Sequence, residues 1–278
     1  MTSMCTNGAG LAILNSLHRI LEVAPVLLLF GVLELMNYRK LALGIALLLV
    51  VGLAPFAFAN SSAKGLNDQR TIESIEPINL AVLVQDDLVS QVSNEIGVTR
   101  DFIRSLPRGS RVMVGYITAG SLQVREPFTN DLDKAARSMR IPTSSTASAP
   151  FNPYVEVLEA LKKFPSDGAN ANALLLISDG LDTSRGFDST AAGHTLDIER
   201  AIKESNRRHV SVFSFYAPSV GLTSRSHIAA SYGQSSLNRL SNETGGEAFF
   251  QGTTGFVTFD PYFKHLREAL NRQYAKAR

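Results

Sequence analysis

The stretch Ile78–Ser90, with the sequence INLAVLVQDDLVS, decides the fold that this chain can adopt. Between Ile78 and Val84 the residues are mainly apolar and β-branched, a run typical of a strand that is buried on both faces. Asp86 and Asp87 then end the apolar run, and a segment compatible with a helix follows. A buried strand that delivers carboxylates just before a helix marks the functional edge of an open α/β sheet.

The stretch 173–180, with the sequence ALLLISDG, repeats this pattern, because an apolar run leads into Asp179 and then Gly180. The carboxyl ends of neighbouring parallel strands lie at the same edge of a sheet. We therefore expect Asp86 and Asp179 to meet at one crevice, although they are far apart in the sequence.

Strands and helices are predicted to alternate along the rest of this part of the chain. Apolar and β-branched runs predict further strands over 111–118, 122–128, 210–216 and 247–250. Helical spacing and helix-end signals predict helices over 90–106, 131–139, 154–164, 196–208, 235–244 and 261–277. The alternation predicts an α/β protein with a doubly wound, mostly parallel sheet and helices on both faces.

Short motifs accompany this order of elements. Asp86-Asp87 follows the first strand, the sequence ISDG at 177–180 follows a central strand, ETGGE stands at 243–247, and a closing helix carries NRQY at 271–274. In this order and spacing the motifs resemble a von Willebrand factor type A domain of the kind found in exported bacterial proteins, over residues 75–275. The resemblance implies a Rossmann-like sheet and a protein-binding role.

The resemblance also implies a metal-ion-dependent adhesion site, built from an Asp-x-Ser-x-Ser motif, a Thr from a middle loop and the Asp of the Asp-Gly pair. Such hydroxyl and carboxylate oxygens suit Mg²⁺. In this chain Asp86, Ser90 and Asp179 match metal ligands, but Leu88 stands where the motif has its middle Ser. The Thr position falls near Asn152, which offers only an amide oxygen. We therefore expect a degenerate site, with Mg²⁺ as its possible ion.

Without a metal ion, the acidic residues are expected to form a polar edge. Asp86 would then cap the first helix, and Asp179 would accept hydrogen bonds from backbone amides in the Gly180 turn. Asp87 is expected to point away from Asp86, since side chains alternate along a strand. Two bare carboxylates would repel each other, so a Lys, Arg or hydroxyl is expected nearby, and the sequence does not show which.

An uncharged segment precedes this domain. Leu41–Ala59 contains no charged residue, Arg39-Lys40 stands before it, and Ala57-Phe58-Ala59 is an A-x-A sequence. These features are typical of a secretory signal peptide, and the alternative is a membrane anchor or tether over 41–59. Either interpretation predicts export, so the protein is expected to be secreted, periplasmic or anchored in the inner membrane facing outward.

The position of this segment suggests where translation begins. Residues 36–59, starting at Met36, would make an ordinary signal peptide, so residues 1–35 are interpreted as a mis-assigned upstream extension. The alternative is a second membrane segment at 23–33, which is short for a bilayer. Residues 60–74 are polar and are interpreted as a linker, and residues 75–278 are predicted to form the type A-like domain.

The composition of the chain and the absence of several catalytic motifs reduce the number of possible functions. The net charge is only +2 and no Lys/Arg run stands out, so nucleic-acid binding has little support. The chain has a single cysteine, Cys5, which excludes an internal disulfide. The sequence contains no nucleophile elbow, phosphate-binding loop or HExxH zinc motif, and its histidines are scattered.

The sequence therefore predicts an exported, non-enzymatic binding module of an adhesion or assembly type that recognises another protein. The expected contacts lie in loops at the carboxyl edge of the sheet, with weak or no dependence on metal, at Asp86, Asp87, Ser90, Asn152, Asp179 and Asp182. A metal-dependent periplasmic hydrolase using Asp86 and Asp179 is the alternative, and a purely structural assembly subunit is a third. The identity of the partner cannot be derived from the sequence.

Overall fold

A computed structural model describes residues 76–168, 170–187, 195–251 and 257–275. The predictions made for the upstream extension 1–35, the signal peptide or anchor 36–59 and the linker 60–74 lie outside the described residues. Among the described residues, no helix combines the length and the apolar character that crossing a membrane requires.

Within the described residues the strands form one six-stranded sheet in the order β3-β2-β1-β4-β5-β6. All neighbouring strands are parallel except β2 and β3, which are antiparallel. The strands are β1 Ile78–Gln85, β2 Arg111–Thr118, β3 Ser121–Thr129, β4 Ala171–Ser178, β5 Val210–Tyr216 and β6 Ala248–Phe249.

Helices cover both faces of this sheet. The helices are α1 Val92–Arg104, α2 Leu132–Ser138, α3 Pro153–Leu161, α4 Leu196–Arg207, α5 His227–Glu243 and α6 Asp260–Ala275. The apolar residues of α1, α2 and α6 share one core cluster with one side of the strands, and those of α3, α4 and α5 share the other. The prediction of a doubly wound, mostly parallel sheet with helices on both faces is confirmed.

Strand β1 is central because it is apolar on both faces. Every residue from Ile78 to Gln85 is buried, and the strand pairs in parallel with β2 on one side and β4 on the other. In the β1–β4 register Val84 lies opposite Ile177. Asp86 and Asp179 therefore leave neighbouring strands at the same level, as the sequence predicted.

Helix α5 differs from its prediction, because it begins at His227 and not at 235. Ser226 caps it by accepting a hydrogen bond from the Ala229 backbone N–H. Its first turns bury small and polar residues, among them Gly233 and Gln234, so they lack the apolar spacing by which a helix is recognised. The segment 227–233, which precedes the helix predicted at 235–244, is therefore also helical.

A pair of glycines brings α5 against the end of β4. Gly180 has a φ of +68°, which disfavours any residue with a side chain. A Cβ at Gly233 would lie 1.9 Å from the Asp179 carbonyl oxygen, and a Cβ at Gly180 would lie 2.5 Å from the Gly233 carbonyl oxygen. The backbone of α5 therefore rests directly on the turn that follows β4.

Candidate functional site

The carboxylate of Asp86 is held by an arginine. Arg140 donates from Nη1 to Asp86 Oδ1 at 2.6 Å and from Nη2 to Oδ2 at 2.8 Å, and the Thr143 backbone N–H donates to Oδ1 at 2.9 Å. Asp86 is only 2% exposed. Burial alone would raise its pKa, but the hydrogen bonds from Arg140 and Thr143 outweigh burial and hold the pKa of Asp86 below its usual value.

Arg140 is positioned by β2 and by the chain that leaves α2. Its backbone N–H donates to the Tyr116 hydroxyl at 2.8 Å, and its guanidinium carbon lies 4.1 Å from the centre of the Tyr116 ring. Nη1 also donates to the Ile141 carbonyl at 3.0 Å. The partner of Asp86 that the sequence could not identify is therefore Arg140. It lies just after α2, at the carboxyl edge of the sheet.

A second, buried network joins the ends of β1 and β4. Gln85 donates from Nε2 to Asp87 Oδ1 at 2.7 Å, and its Oε1 accepts from the Ser178 hydroxyl at 2.5 Å and from the Asp179 backbone N–H at 3.2 Å. Burial, followed by the charge of Asp179, raises the pKa of Asp87 to about 7. The carboxyl group that interacts with Asp179 is thus that of Asp87, whereas the carboxylate of Asp86 binds Arg140.

Asp179 accepts hydrogen bonds from backbone and side-chain donors in this network, Ser219 among them. The Leu181 backbone N–H donates to Oδ1 at 3.1 Å, and the Thr223 hydroxyl donates to Oδ2 at 3.1 Å. Burial raises the pKa of Asp179 in spite of these donors. The expectation that Asp179 accepts from an amide of the Gly180 turn is confirmed.

The loop after β5 is attached to the residues that follow β1. The Val220 N–H donates to the Asp87 carbonyl at 2.9 Å, and the Val89 N–H donates to the Pro218 carbonyl at 3.0 Å. Leu88 forms an isolated bridge with Ser219 and is fully buried. Leu88 therefore has a structural role, because its side chain packs into the core and its backbone holds this loop in place.

The remaining residues of the predicted site lie in separate positions at the same edge. Ser90 is exposed. Asn152 caps α3 by accepting from the Tyr154 N–H at 3.0 Å, and its Nδ2 donates to Asp197 at 2.8 Å. Asp182 Oδ1 accepts from the backbone and the hydroxyl of Ser184. These contacts do not bring Ser90, Asn152 or Asp182 to Asp86.

The expectation that Asp86 caps the first helix was wrong. The residue at the N-cap position of α1 is Gln91, and no side chain caps this helix. Asp86 lies several residues earlier, and its carboxylate accepts from Arg140 and Thr143. The bidentate pair with Arg140 engages both oxygens of Asp86, and such pairs add geometric specificity to charge-assisted hydrogen bonds.

The donor set does not fit a magnesium ion. Both oxygens of Asp86 accept from N–H donors, both oxygens of Asp179 accept from Leu181 and Thr223, and Leu88 supplies no ligand. Mg²⁺ requires nearly octahedral oxygen coordination. Among the described residues, no group of three or more His, Cys, Asp or Glu side chains is placed to hold a metal.

Exposed apolar side chains also lie at the carboxyl edge of the sheet. Among the large hydrophobic residues that are exposed in the described part of the chain, all but Ile141 follow a strand or lie at the start of a helix at the carboxyl edge of the sheet. Ile141 follows Arg140, after α2, and Phe151, 65% exposed, is the most accessible of the set. We call this set the apolar rim: Ile141, Phe151, Val155, Phe187, Leu196, Leu222, Ile228 and Phe250.

Contacts between loops support parts of the apolar rim. The Thr183 backbone N–H donates to the Phe151 carbonyl at 2.7 Å, which ties the loop after β4 to the loop before α3. The Phe187 ring packs edge-on against Tyr232 of α5, with 5.7 Å between the ring centres. The rim therefore combines exposed apolar surface with loops that are connected to one another.

The strand order, the single antiparallel strand β3 and the acidic residues at the ends of β1 and β4 agree with the resemblance drawn from the sequence. The chain has a von Willebrand factor A-like fold. No family model matches the sequence, and no curated protein matches it.

Solved structures similar to this A-like domain match it at low sequence identity. An aerotolerance-related membrane protein from Bacteroides fragilis NCTC 9343, with multiple mutations to serines, is 12% identical over 70% of this chain and 99% of its own, with a TM-score of 0.48. BatB from Bacteroides thetaiotaomicron, a conserved hypothetical protein, is 10% identical over 71% of this chain and 99% of its own, with a TM-score of 0.48.

A third similar structure is proximal thread matrix protein 1 from the mussel byssus, which has a zinc-occupied MIDAS motif. It is 12% identical over 72% of this chain and 48% of its own, with a TM-score of 0.44. At this level of similarity the comparison assigns neither a metal ion nor a partner to this chain.

Proposed function

We propose that this A-like domain is a non-enzymatic binding module that recognises another protein through the carboxyl edge of its sheet, without a bridging metal ion. The observation that carries the proposal is the apolar rim. Exposed apolar surface bordered by polar groups marks interaction sites on soluble domains. The most exposed side chains of the rim are Phe151 at 65% and Ile228 at 60%.

The Asp86–Arg140 ion pair at the same edge is expected to orient a bound partner. The Asp86–Arg140 pair lies at the end of β1, and Ile141 of the apolar rim follows Arg140 directly. The Arg140 side chain is 29% exposed, so a partner can reach it. Interfaces commonly combine apolar anchors with a few fixed polar groups that set the direction of binding.

The contacts of the acidic residues favour this role over the hydrolase alternative. Asp86 is bound by Arg140, and Asp179 accepts from the Leu181 N–H and from the Thr223 hydroxyl of the loop that follows β5. Hydrolysis requires an available nucleophile or an available base within reach of a substrate. Export through residues 41–59, and with it a position outside the cytoplasm, belongs to the same proposal and is supported by the sequence alone.

Photo-crosslinking from both edges of the sheet tests the proposal. A photoreactive phenylalanine analogue is placed at Phe151 or Leu222 of the apolar rim, and at Arg108 or Lys163 of the opposite edge as matched exposed controls. In cells, the rim positions are expected to give a discrete adduct with one protein and the control positions none. Equal adducts from both edges, or none from the rim, would refute the proposal.

A variant in which both Phe151 and Leu222 are replaced by alanine measures how much the apolar rim contributes to the free energy of binding. Exposed aromatic and aliphatic anchors each contribute about 1–2 kcal/mol to an interface, so the loss of both is expected to lower adduct yield about tenfold or more. The yield is measured with the photoreactive residue at Ile228. An unchanged yield would show that these two side chains lie outside the contact.

Divalent cations are expected to leave the stability of the wild-type chain unchanged. A ligand that binds only the native state raises the midpoint of thermal unfolding. Because Arg140 already binds Asp86, Mg²⁺ or Mn²⁺ at about 1 mM should change the midpoint by less than about 1 °C relative to EDTA. A rise of several degrees that is lost in Asp179→Asn would contradict the metal-free interpretation.

A further inference from the structure

Some N–H groups of the Arg140 guanidinium donate hydrogen bonds within the described part of the chain, and the others do not. A guanidinium carries five N–H donors. Nη1 uses both of its donors, on Asp86 Oδ1 and on the Ile141 carbonyl, and Nη2 uses one, on Asp86 Oδ2. Among the described residues, no acceptor is bound to the second N–H of Nη2 or to Nε–H.

These two remaining donors point in the same direction. In a planar guanidinium, Nη1 and Nη2 form one pair of parallel N–H groups, and Nη2 and Nε form a second pair along the adjacent side. The first pair holds Asp86. The second pair is a complete fork of the shape that binds a carboxylate through both of its oxygens.

The surroundings keep this fork in a fixed orientation. The guanidinium lies over the Tyr116 ring, and the bonds to Asp86 and to the Ile141 carbonyl fix its rotation. The side chain is nevertheless 29% exposed, whereas that of Asp86 is 3% exposed. A pre-organised donor pair loses little conformational entropy when an acceptor binds.

We propose that the Nε/Nη2 side of Arg140 binds a carboxylate of the partner, so that a fixed guanidinium supplies the positive charge at the end of β1. The site takes one carboxylate, from an Asp or Glu side chain or from a chain terminus. This inference rests on the proposed function, because the carboxylate belongs to the protein that the apolar rim contacts. It also accounts for a donor set that does not fit a metal ion.

A nuclear magnetic resonance titration of the full chain, labelled with ¹⁵N-arginine, tests the site without the partner. The Nε–H resonance of Arg140 is followed while sodium acetate is added, with sodium chloride at equal ionic strength as the blank. Acetate is expected to give a saturable shift at Arg140 and no saturable shift at Arg108, an exposed arginine of the opposite edge. No saturation at Arg140, or equal shifts at both residues, overturns the proposal.

Three short peptides distinguish the source of the carboxylate. One has an internal glutamate and blocked ends, the second has glutamine and a free carboxyl terminus, and the third has glutamine and blocked ends. A saturable shift with either acidic peptide supports the site and names its source. A shift of equal size with the neutral peptide, or no shift with any of them, overturns it.

The variant Arg140→Lys assigns the resonance and tests the fork. Lysine keeps the charge but lacks the planar pair of donors, so the resonance disappears and the variant is expected to lose the crosslinked partner about tenfold. A crosslink yield equal to that of the wild type overturns the proposal. If acetate gives no saturable shift but the rim positions crosslink to a partner, only this inference is refuted. If acetate gives a saturable shift but the rim positions give no crosslink, the proposed function is refuted.

Discussion

Replacing Arg140 by methionine is expected to lower the free energy of unfolding by about 3–5 kcal/mol at pH 7, because it leaves Asp86 as a buried charge without its partner. Asp86 is 2% exposed, and after the loss of Arg140 its remaining donors, the Thr143 N–H and the Thr118 hydroxyl, carry no charge. Methionine retains much of the apolar volume that packs on Tyr116. Urea denaturation followed by circular dichroism measures the change.

The pH dependence separates this cause from a simple loss of packing. In the wild type the pKa of Asp86 is lowered on folding, so its contribution to stability is present above the usual pKa of 3.8 and is lost as the pH falls below it. The deficit of Arg140→Met should shrink in acid, because without Arg140 the burial of Asp86 raises its pKa and the folded variant takes up a proton above pH 3.8. A deficit that is equal at pH 7 and pH 4 would contradict the electrostatic explanation.

A second variant gives the control for Asp86. In the double variant Asp86→Asn, Arg140→Met the buried charge is absent, so most of the lost stability at pH 7 should return. Arg108→Met, at an exposed position of the opposite edge, should change the free energy of unfolding by less than about 0.5 kcal/mol. A double variant no more stable than Arg140→Met alone would show that the arginine acts mainly through packing.

Replacing Asp87 by asparagine is expected to raise the free energy of unfolding by about 2–4 kcal/mol at pH 8, the reverse of the usual effect of a buried substitution. The pKa of Asp87 is raised to about 7 in the folded state by burial, then by the charge of Asp179. Above that pH the folded chain carries a poorly solvated carboxylate. Asparagine has nearly the same shape, and its amide oxygen can still accept from Gln85.

The sign of the effect fixes its pH window. Below the unfolded pKa of 3.8, Asp87 is protonated in both the folded and the unfolded chain. The wild type and Asp87→Asn should then have similar free energies of unfolding. As the pH rises from about 4 to about 7, the wild type loses stability because the unfolded chain releases the proton more readily. The advantage of Asp87→Asn should therefore be near zero at pH 4 and reach a plateau above pH 7.

Denaturation at several pH values provides the measurement. Asp101→Asn serves as the control, because Asp101 lies on the surface of α1 with a side chain that is 79% exposed. That variant should follow the wild type to within about 0.5 kcal/mol throughout. A wild-type advantage over Asp87→Asn at pH 8 would mean that the carboxylate makes a net favourable contribution in the folded state.

The sheet was predictable because burial on both faces leaves a strong signal. The apolar runs of β1 and β4 end abruptly at polar residues, and the acidic residues that follow them mark the carboxyl edge. The presence of Asp86 and Asp179 on neighbouring strands followed from that pattern. Helix α5 was mispredicted at its start because its early turns pack with small residues, which carry little hydrophobic periodicity.

The role of Arg140 could not be predicted, because it depends on tertiary geometry. Arg140 follows a short helix, and nothing in the local sequence distinguishes it from the other arginines of the chain. Its pairing with Asp86 requires that α2 run alongside β2 and end above it, where Tyr116 receives the guanidinium. Asp86 binds Arg140, whereas Asp87 interacts with Asp179. This difference likewise depends on the direction that each side chain takes after the strand ends.

The contact between Gly180 and Gly233 has a consequence for tracing the ancestry of this domain. Any chain that inherits this arrangement must conserve the absence of a side chain at two positions far apart in the sequence, since a single methyl group at 233 would lie 1.9 Å from a carbonyl oxygen. Acidic residues at strand ends can be exchanged as binding changes, but this pair cannot be altered without moving a helix. The paired glycines therefore form a two-position fingerprint for finding distant homologues.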